Sequence, residues 1–216
     1  MNLIAHRGFA ADAPENTVPA LRRAAALADG VELDVRRCGS GEPVVCHDET
    51  VDRLTDASGH VDSLDSAALA DLNVLGSDYG IPTLDAVFDA LPATTVNVEL
   101  KEAGLAADVA DCWASYDGDV FVSAFDADVL AEVRDAAPAT SRAALCRQPT
   151  LDAARELDCA FVHPEQRVVD SAFVERAHDA GIEVNAWTVT SPASVSRLRE
   201  AGVDGVIADS ASVVER

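Results

Sequence analysis

Short β-rich runs alternate with helix-patterned segments along the whole chain, and this alternation constrains the fold more than any other feature. The strand-like runs are NLIAH (2–6), VELDV (31–35), TVNVELK (95–101), VFVSAF (120–125), RAALC (142–146), AFVHP (160–164), EVNAWTV (183–189) and DGVIA (204–208). Apolar residues at helical spacing cover 17–29, 84–91, 104–115, 126–137, 150–158, 170–180 and 191–201, and the final SASVVER reads as a short closing helix. Thr, Asp and Ser mark the helix starts, while Gly30, Gly181 and Gly202 mark stops. Eight strands alternating with helices predict an α/β chain folded as a (β/α)8 TIM barrel. The competing arrangement is an open doubly wound sheet, but no GxGxxG or P-loop supports it.

One segment breaks the alternation. PVVCH (43–47) is strand-like, yet only seven residues separate it from VELDV. A parallel crossover needs a dozen or more. The two runs are therefore expected to form an antiparallel hairpin turning at Ser40-Gly41, with Asp34 facing His47. Residues 48–80, rich in Asp, Ser and Gly, follow as an inserted arm. Nothing reads as a linker, so residues 1–216 are expected to form one domain.

About half of the residues are apolar, enough for a sizeable core. No apolar run approaches the roughly 18 residues of a membrane span, and no signal-like segment precedes the first strand. The net charge of −22 comes from 38 acidic residues scattered along the chain against 16 basic ones. That balance argues against nucleic acid and anionic membranes as partners. A dense carboxylate surface with a single lysine fits a salt-rich, halophilic cytoplasm. The five cysteines form no CxxC pair, which fits reduced thiols and a cytoplasmic location.

In such barrels chemistry gathers at the C-terminal ends of the strands. Those ends carry His6-Arg7-Gly8, Glu32-Leu33-Asp34, His47-Asp48, Glu99-Leu100-Lys101 and Asn185-Ala186-Trp187. Side chains alternate faces along a strand, so Glu32 and Asp34 point one way together, as do Glu99 and Lys101. If Leu33 and Leu100 face the helices, three carboxylates converge on the barrel mouth. Their repulsion would be relieved by one divalent cation, and an all-oxygen ligand set suits Mg²⁺ or Ca²⁺ better than Zn²⁺. The alternative is a salt-bridge layer with arginines. His6 and His47 flank the same place and suit general acid and base roles. Arg7 and Lys101 add the positive charge that a phosphate group attracts. His163 also ends a strand, whereas His60 falls in the arm and His178 on a helix.

These residues sit in motifs that resemble the glycerophosphodiester phosphodiesterases: IAHRG (4–8), APENT (13–17), GVELDV (30–35), PVVCHD (43–48), IPTLDAVFDAL (81–91), VNVELK (96–101), VSAFD (122–126), NAWTV (185–189) and GVDGVIAD (202–209). The resemblance implies hydrolysis of a small glycerophosphodiester to sn-glycerol 3-phosphate and an alcohol. It implies His6 and His47 as the acid–base pair, and Glu32, Asp34 and Glu99 as ligands of one divalent cation. Arg7 and Lys101 would bind phosphate, and Trp187 would wall the glycerol or alcohol moiety. Glu15 and Asn16 would either shape the mouth or cap the first helix. Other readings are a lysophospholipid or phosphoinositide phosphodiesterase on the same barrel, a non-catalytic phosphate-ligand binder, and a sugar-phosphate isomerase or aldolase barrel. The motifs leave the alcohol group and the oligomeric state open.

Overall fold

The computed structural model of the chain describes residues 1–214. Nine strands make one sheet: β1 (Asn2–Ala5), β2 (Gly30–Arg37), β3 (Pro43–Val45), β4 (Thr95–Leu100), β5 (Val120–Ala124), β6 (Ser141–Cys146), β7 (Phe161–Pro164), β8 (Glu183–Val189) and β9 (Gly205–Ala208). All except β3 run parallel in the order β1-β9-β8-β7-β6-β5-β4-β2. The sheet closes where β1 pairs with β2, Ile4 opposite Gly30 and Ala5 opposite Val31. The result is the expected (β/α)8 barrel.

Around it lie α1 (Val18–Ala25), α3 (Leu84–Ala90), α4 (Ala106–Cys112), α5 (Ala127–Ala136), α6 (Asp152–Glu156), α7 (Ser171–His178) and α8 (Pro192–Ala201), with α2 (Ser66–Ala70) in the arm. Val31, Leu33, Val35, Val96, Val98 and Leu100 belong to the main apolar core between sheet and helices. Burying each such side chain is worth about 1.5–3 kcal/mol. The alternate residues, Glu32, Asp34, Asn97 and Glu99, are left for the inner face. The β2–β4 register puts Glu32 beside Asn97 and Asp34 beside Glu99. Acidic side chains from two strands thus share a level of the barrel.

Several helices are shorter than their periodicity suggests. Gly104, at φ 80°, stands outside α4. The chain leaves α6 at Leu157 and then takes a left-handed turn at Asp158, φ 49°. The closing segment is a 3₁₀ turn over Ala211–Val213; residues 215–216 lie outside the described range. In the arm, Asp65 caps α2 by accepting the Ala68 N–H.

The hairpin forms with a register one residue away from the expected one. Val35 opposes Val45, and Cys46 N–H donates to Asp34 O at 2.9 Å. Cys46, not His47, therefore stands opposite Asp34. The cause is the turn. Cys38 N–H reaches Glu42 O, so three residues bridge the strands instead of two, and Gly41 takes φ 101°. One extra turn residue slips every later pair by one. His47 still comes to the mouth because β3 ends at Val45 and the chain bends away from strand geometry. The arm packs on a core of its own, built from Cys38, Val44, Cys46, Val51, Leu54, Val61, Leu69, Val74 and Ile81. Among the described residues, no helix is long and apolar enough to cross a membrane.

Candidate active site

Chain direction explains how the site assembles. All eight barrel strands point the same way, so their last residues meet at one rim. His6 follows β1 in a 3₁₀ turn, His6–Gly8, in which Arg7 has φ 51° and Gly8 φ 75°. A Cβ on Gly8 would come within 3.0 Å of the Ala20 and Leu21 backbone, so glycine lets this loop lie on α1. His6 Nδ1 is 2.5 Å from Asp209 Oδ1, just past β9, and its Nε2 is 4.0 Å from Glu32 Oε2. Burial alone would lower the His6 pKa; Asp209 and Glu32 outweigh it and raise the pKa above 6.5. His47 has a parallel arrangement, with Nδ1 2.5 Å from Asp48 Oδ1. Its pKa is lowered, because burial outweighs the pull of Asp34 and Asp48.

Glu32, Asp34 and Glu99 are buried, and each offers an oxygen within 4.8 Å of the others. Glu32 Oε2 accepts the Arg7 backbone N–H at 2.9 Å, while Oε1 has no partner. Burial, reinforced by Asp34, pushes the Glu32 pKa up to about 8. Burial also raises Glu99, again with Asp34 adding repulsion. On Asp34 the burial effect is overcome by Arg7 and Lys101, which hold it below the usual carboxylate range. A buried oxygen without a donor, among three carboxylates that repel one another, is the donor set a hard divalent cation takes. The residues present fit Mg²⁺ or Ca²⁺.

The cations are woven into this cluster. Lys101 Nζ lies 2.5 Å from Glu99 Oε1 and 3.3 Å from Asp34 Oδ1. Arg7 Nε lies 3.1 Å from Asp34 Oδ2, and its other end donates to Glu15 Oε1 at 2.9 Å. Glu15 also accepts two N–H groups of Arg53, whose Nε donates to Asp48 Oδ2 at 2.6 Å. The arm thus braces both Arg7 and the partner of His47. Asn16 Nδ2 donates to Asp34 Oδ2 at 2.9 Å. Neither Glu15 nor Asn16 caps α1; the N-cap residue is Thr17, which makes no side-chain cap bond.

These groups line a cleft of about 270 Å³. His6, Arg7, Glu32, His47, Glu99 and Lys101 form one side; Phe125, Arg147 and Trp187 form another. Asp34 lies beneath, fully buried. Trp187 Nε1 donates to His163 O at 2.7 Å, and its ring meets Phe125 edge-on at 5.4 Å. All eight residues singled out from the sequence are therefore gathered at one place. A larger hollow of about 460 Å³ opens at the N-terminal ends of the strands, but no histidine, lysine or arginine lines it. His163 is sealed inside the barrel, its Nε2 3.2 Å from Asn185 Nδ2, and burial pushes its pKa down to about 3. His178 pairs with Asp204 on the surface at 2.8 Å.

Sequence reasoning assigned no role to Asp48, Asp209, Arg53, Asn97, Phe125 or Arg147. Some signals were present. Asp209 and Arg147 each directly follow a strand, and Asn97 keeps the two-residue phase of Glu99. The Arg53 contacts carry no local signal, because they join residues 5 and 38 positions apart.

Comparison with known proteins identifies the family and the fold. The model of the glycerophosphoryl diester phosphodiesterase family matches residues 6–213. The chain belongs to that family. A glycerophosphodiester phosphodiesterase of Caldanaerobacter subterraneus subsp. tengcongensis is 32% identical over 96% of this chain and 93% of its own length. Among solved structures, a phosphodiesterase of Oleispira antarctica in complex with the product sn-glycerol-3-phosphate superposes with a TM-score of 0.91 at 28% identity, covering 97% of this chain and 93% of that one. A family member from Thermotoga maritima gives a TM-score of 0.78 at 26% identity, over 98% and 95% of the two chains. The family is one of phosphodiesterases, and barrels of this architecture carry their active sites at the C-terminal ends of the strands, the end at which this cleft opens.

Proposed function

We propose that the chain hydrolyses glycerophosphodiesters to sn-glycerol 3-phosphate and an alcohol, with one divalent cation, Mg²⁺ or Ca²⁺, held by Glu32, Asp34 and Glu99. The observation that carries this reading is a pair of carboxylate-backed histidines, His6 and His47, on the same cleft as that cluster. In each, Nδ1 is committed to an aspartate, which fixes the ring and leaves Nε2 free for proton transfer. One histidine takes the proton of the nucleophile, which is either water or the substrate's own glycerol hydroxyl, whose cyclic phosphate water then opens. The other delivers a proton to the departing alkoxide. Arg7 and Lys101 hold the phosphoryl oxygens, and Trp187 walls the organic part of the substrate. When bound, the cation supplies further stabilisation of charge on those oxygens.

Lys101, the only lysine of the chain, fits its place. Its ammonium is a compact point charge on a flexible stem, able to turn from Glu99 toward a phosphoryl oxygen; a planar guanidinium would not replace it simply. Five free cysteines favour a reducing, cytoplasmic compartment.

The test is release of glycerol 3-phosphate from glycerophosphoglycerol, glycerophosphocholine and glycerophosphoethanolamine in molar KCl, with Mg²⁺, Ca²⁺ or EDTA. Release that EDTA abolishes is expected. Release that survives EDTA would remove the metal role of the three carboxylates. No release from folded protein would remove the hydrolase reading.

A further inference from the structure

The cations nearest the acidic cluster are already paired. Arg7 is held by Glu15 and Asp34, Lys101 by Glu99 and Asp34, and the two histidines by Asp209 and Asp48. Across the cleft stands Arg147, just past the end of β6. Among the described residues it has no carboxylate partner and no hydrogen bond. Among the described residues, the other basic side chains lining the cleft, His6, Arg7, His47 and Lys101, each have a carboxylate partner; Arg147 does not. Aromatic rings hold it in place. Its guanidinium carbon lies 4.5 Å from the centroid of Phe125 and 5.9 Å from that of Trp187. The two rings meet edge-to-face, so the three side chains form one wall.

We infer that Arg147, seated on Phe125 and Trp187, selects the alcohol half of the substrate, favouring alcohols rich in oxygen acceptors over quaternary ammonium alcohols. This inference rests on the diesterase reading above. The wall lies at the open rim: Phe125 is 40% exposed and Arg147 is exposed as well. A diester whose phosphate sits at the carboxylate cluster extends two organic arms. The invariant glycerol can be enclosed, whereas the variable alcohol needs the open side. Aromatic faces at such a rim would otherwise attract a choline-like cation. Here a guanidinium occupies that position, and a trimethylammonium group arriving there would meet a like charge on the same aromatic faces. Hydroxyls meet the opposite situation, because Arg147 has five N–H donors and no acceptor to satisfy them. Arg147 is thus a specificity residue for the leaving alcohol.

The experiment compares kcat/KM for glycerophosphoglycerol, glycerophosphoinositol and glycerophosphocholine at one fixed salt concentration. Wild type, Arg147→Gln and Arg147→Glu are each checked for folding by circular dichroism. Because Arg147 is exposed, both variants should fold. In wild type the two polyol diesters are expected to exceed the choline diester by about tenfold, the size of one screened like-charge contact. Arg147→Gln should bring the ratio toward one, and Arg147→Glu should favour choline. A wild-type preference for choline, or a ratio that does not move with residue 147 while turnover persists, overturns this inference alone. Absence of turnover with all three diesters removes the diesterase reading and this inference with it.

Discussion

Asp209 holds Nδ1 of His6 at 2.5 Å across 203 positions of sequence. The contact exists because β1 and β9 are adjacent in the closed barrel, with Ala5 opposite Ala208. His47 has its aspartate as a sequence neighbour, at the same distance. Two histidines with the same chemical backing thus arise in different ways, one local and one made only by closure.

The two pairs carry the first prediction. His6→Ala or His47→Ala should lower kcat by about 10²- to 10⁴-fold, the usual weight of a proton-transfer group. The melting temperature should stay close to wild type; a fully active variant would defeat the assignment. Asp209→Asn should act through His6. Asp209 raises the His6 pKa, so its neutralisation lowers that pKa. The limb of the pH–rate profile that depends on His6 should then move to lower pH, with the His47 limb unmoved. Steady-state rates between about pH 5 and pH 9 read this directly.

Cation binding should show in stability as well as in rate. The folded pKa of Glu32, about 8, lies above its unfolded value of about 4.5. A group raised in this way stabilises the fold below its unfolded pKa, and that contribution is lost as pH rises through the folded pKa. Cation-free protein should therefore lose stability on going from about pH 6 to about pH 8.5. Mg²⁺ or Ca²⁺ should raise the melting temperature more at the higher pH, because the ion then meets a charged Glu32. Thermal melts with EDTA and with each ion, at both pH values, check this. An equal shift at both would count against it. Glu32→Gln should abolish the difference.

His163 supplies a pH effect away from the cleft. Its folded pKa, pushed down to about 3, lies below the unfolded value of about 6.5. The unfolded chain binds the proton first, so stability is lost as pH falls from about 6.5 toward about 3, by up to about 1.4 kcal/mol per pH unit. His163→Leu should remove that slope at some cost in packing against Phe121 and Phe161. Urea melts of both proteins at about pH 7 and about pH 5 give the comparison. Parallel losses in the two proteins would exclude His163 as the source.

The surface charge predicts a salt requirement. With a net charge of −22, repulsion between carboxylates destabilises the compact state, and salt screens it. The melting temperature should rise from dilute buffer to molar KCl. KCl should also do more than the same osmolality of an uncharged solute. A melt indifferent to salt would show that the acidic surface carries no halophilic dependence.

Much of the site was legible because the barrel obeys a period. Strand alternation assigns Leu33 and Leu100 to the helix side and leaves Glu32, Asp34 and Glu99 for the inside; parallel strands then bring their ends to one rim. Residue order and two-residue phase therefore determined the barrel, the carboxylate cluster and His6 at its rim, whereas His47 joins them only because the chain leaves strand geometry after Val45. The tertiary structure decided what no period encodes. A three-residue turn instead of two set the hairpin register and moved Cys46 opposite Asp34. Barrel closure supplied Asp209 to His6, and the folded arm supplied Arg53 to Glu15 and Asp48. The seating of Arg147 on Phe125 and Trp187 joins side chains from three different strand ends. Such contacts depend on the distance between segments far apart in the chain. That distance is set by how the whole core packs, and a local pattern of residue types does not contain it.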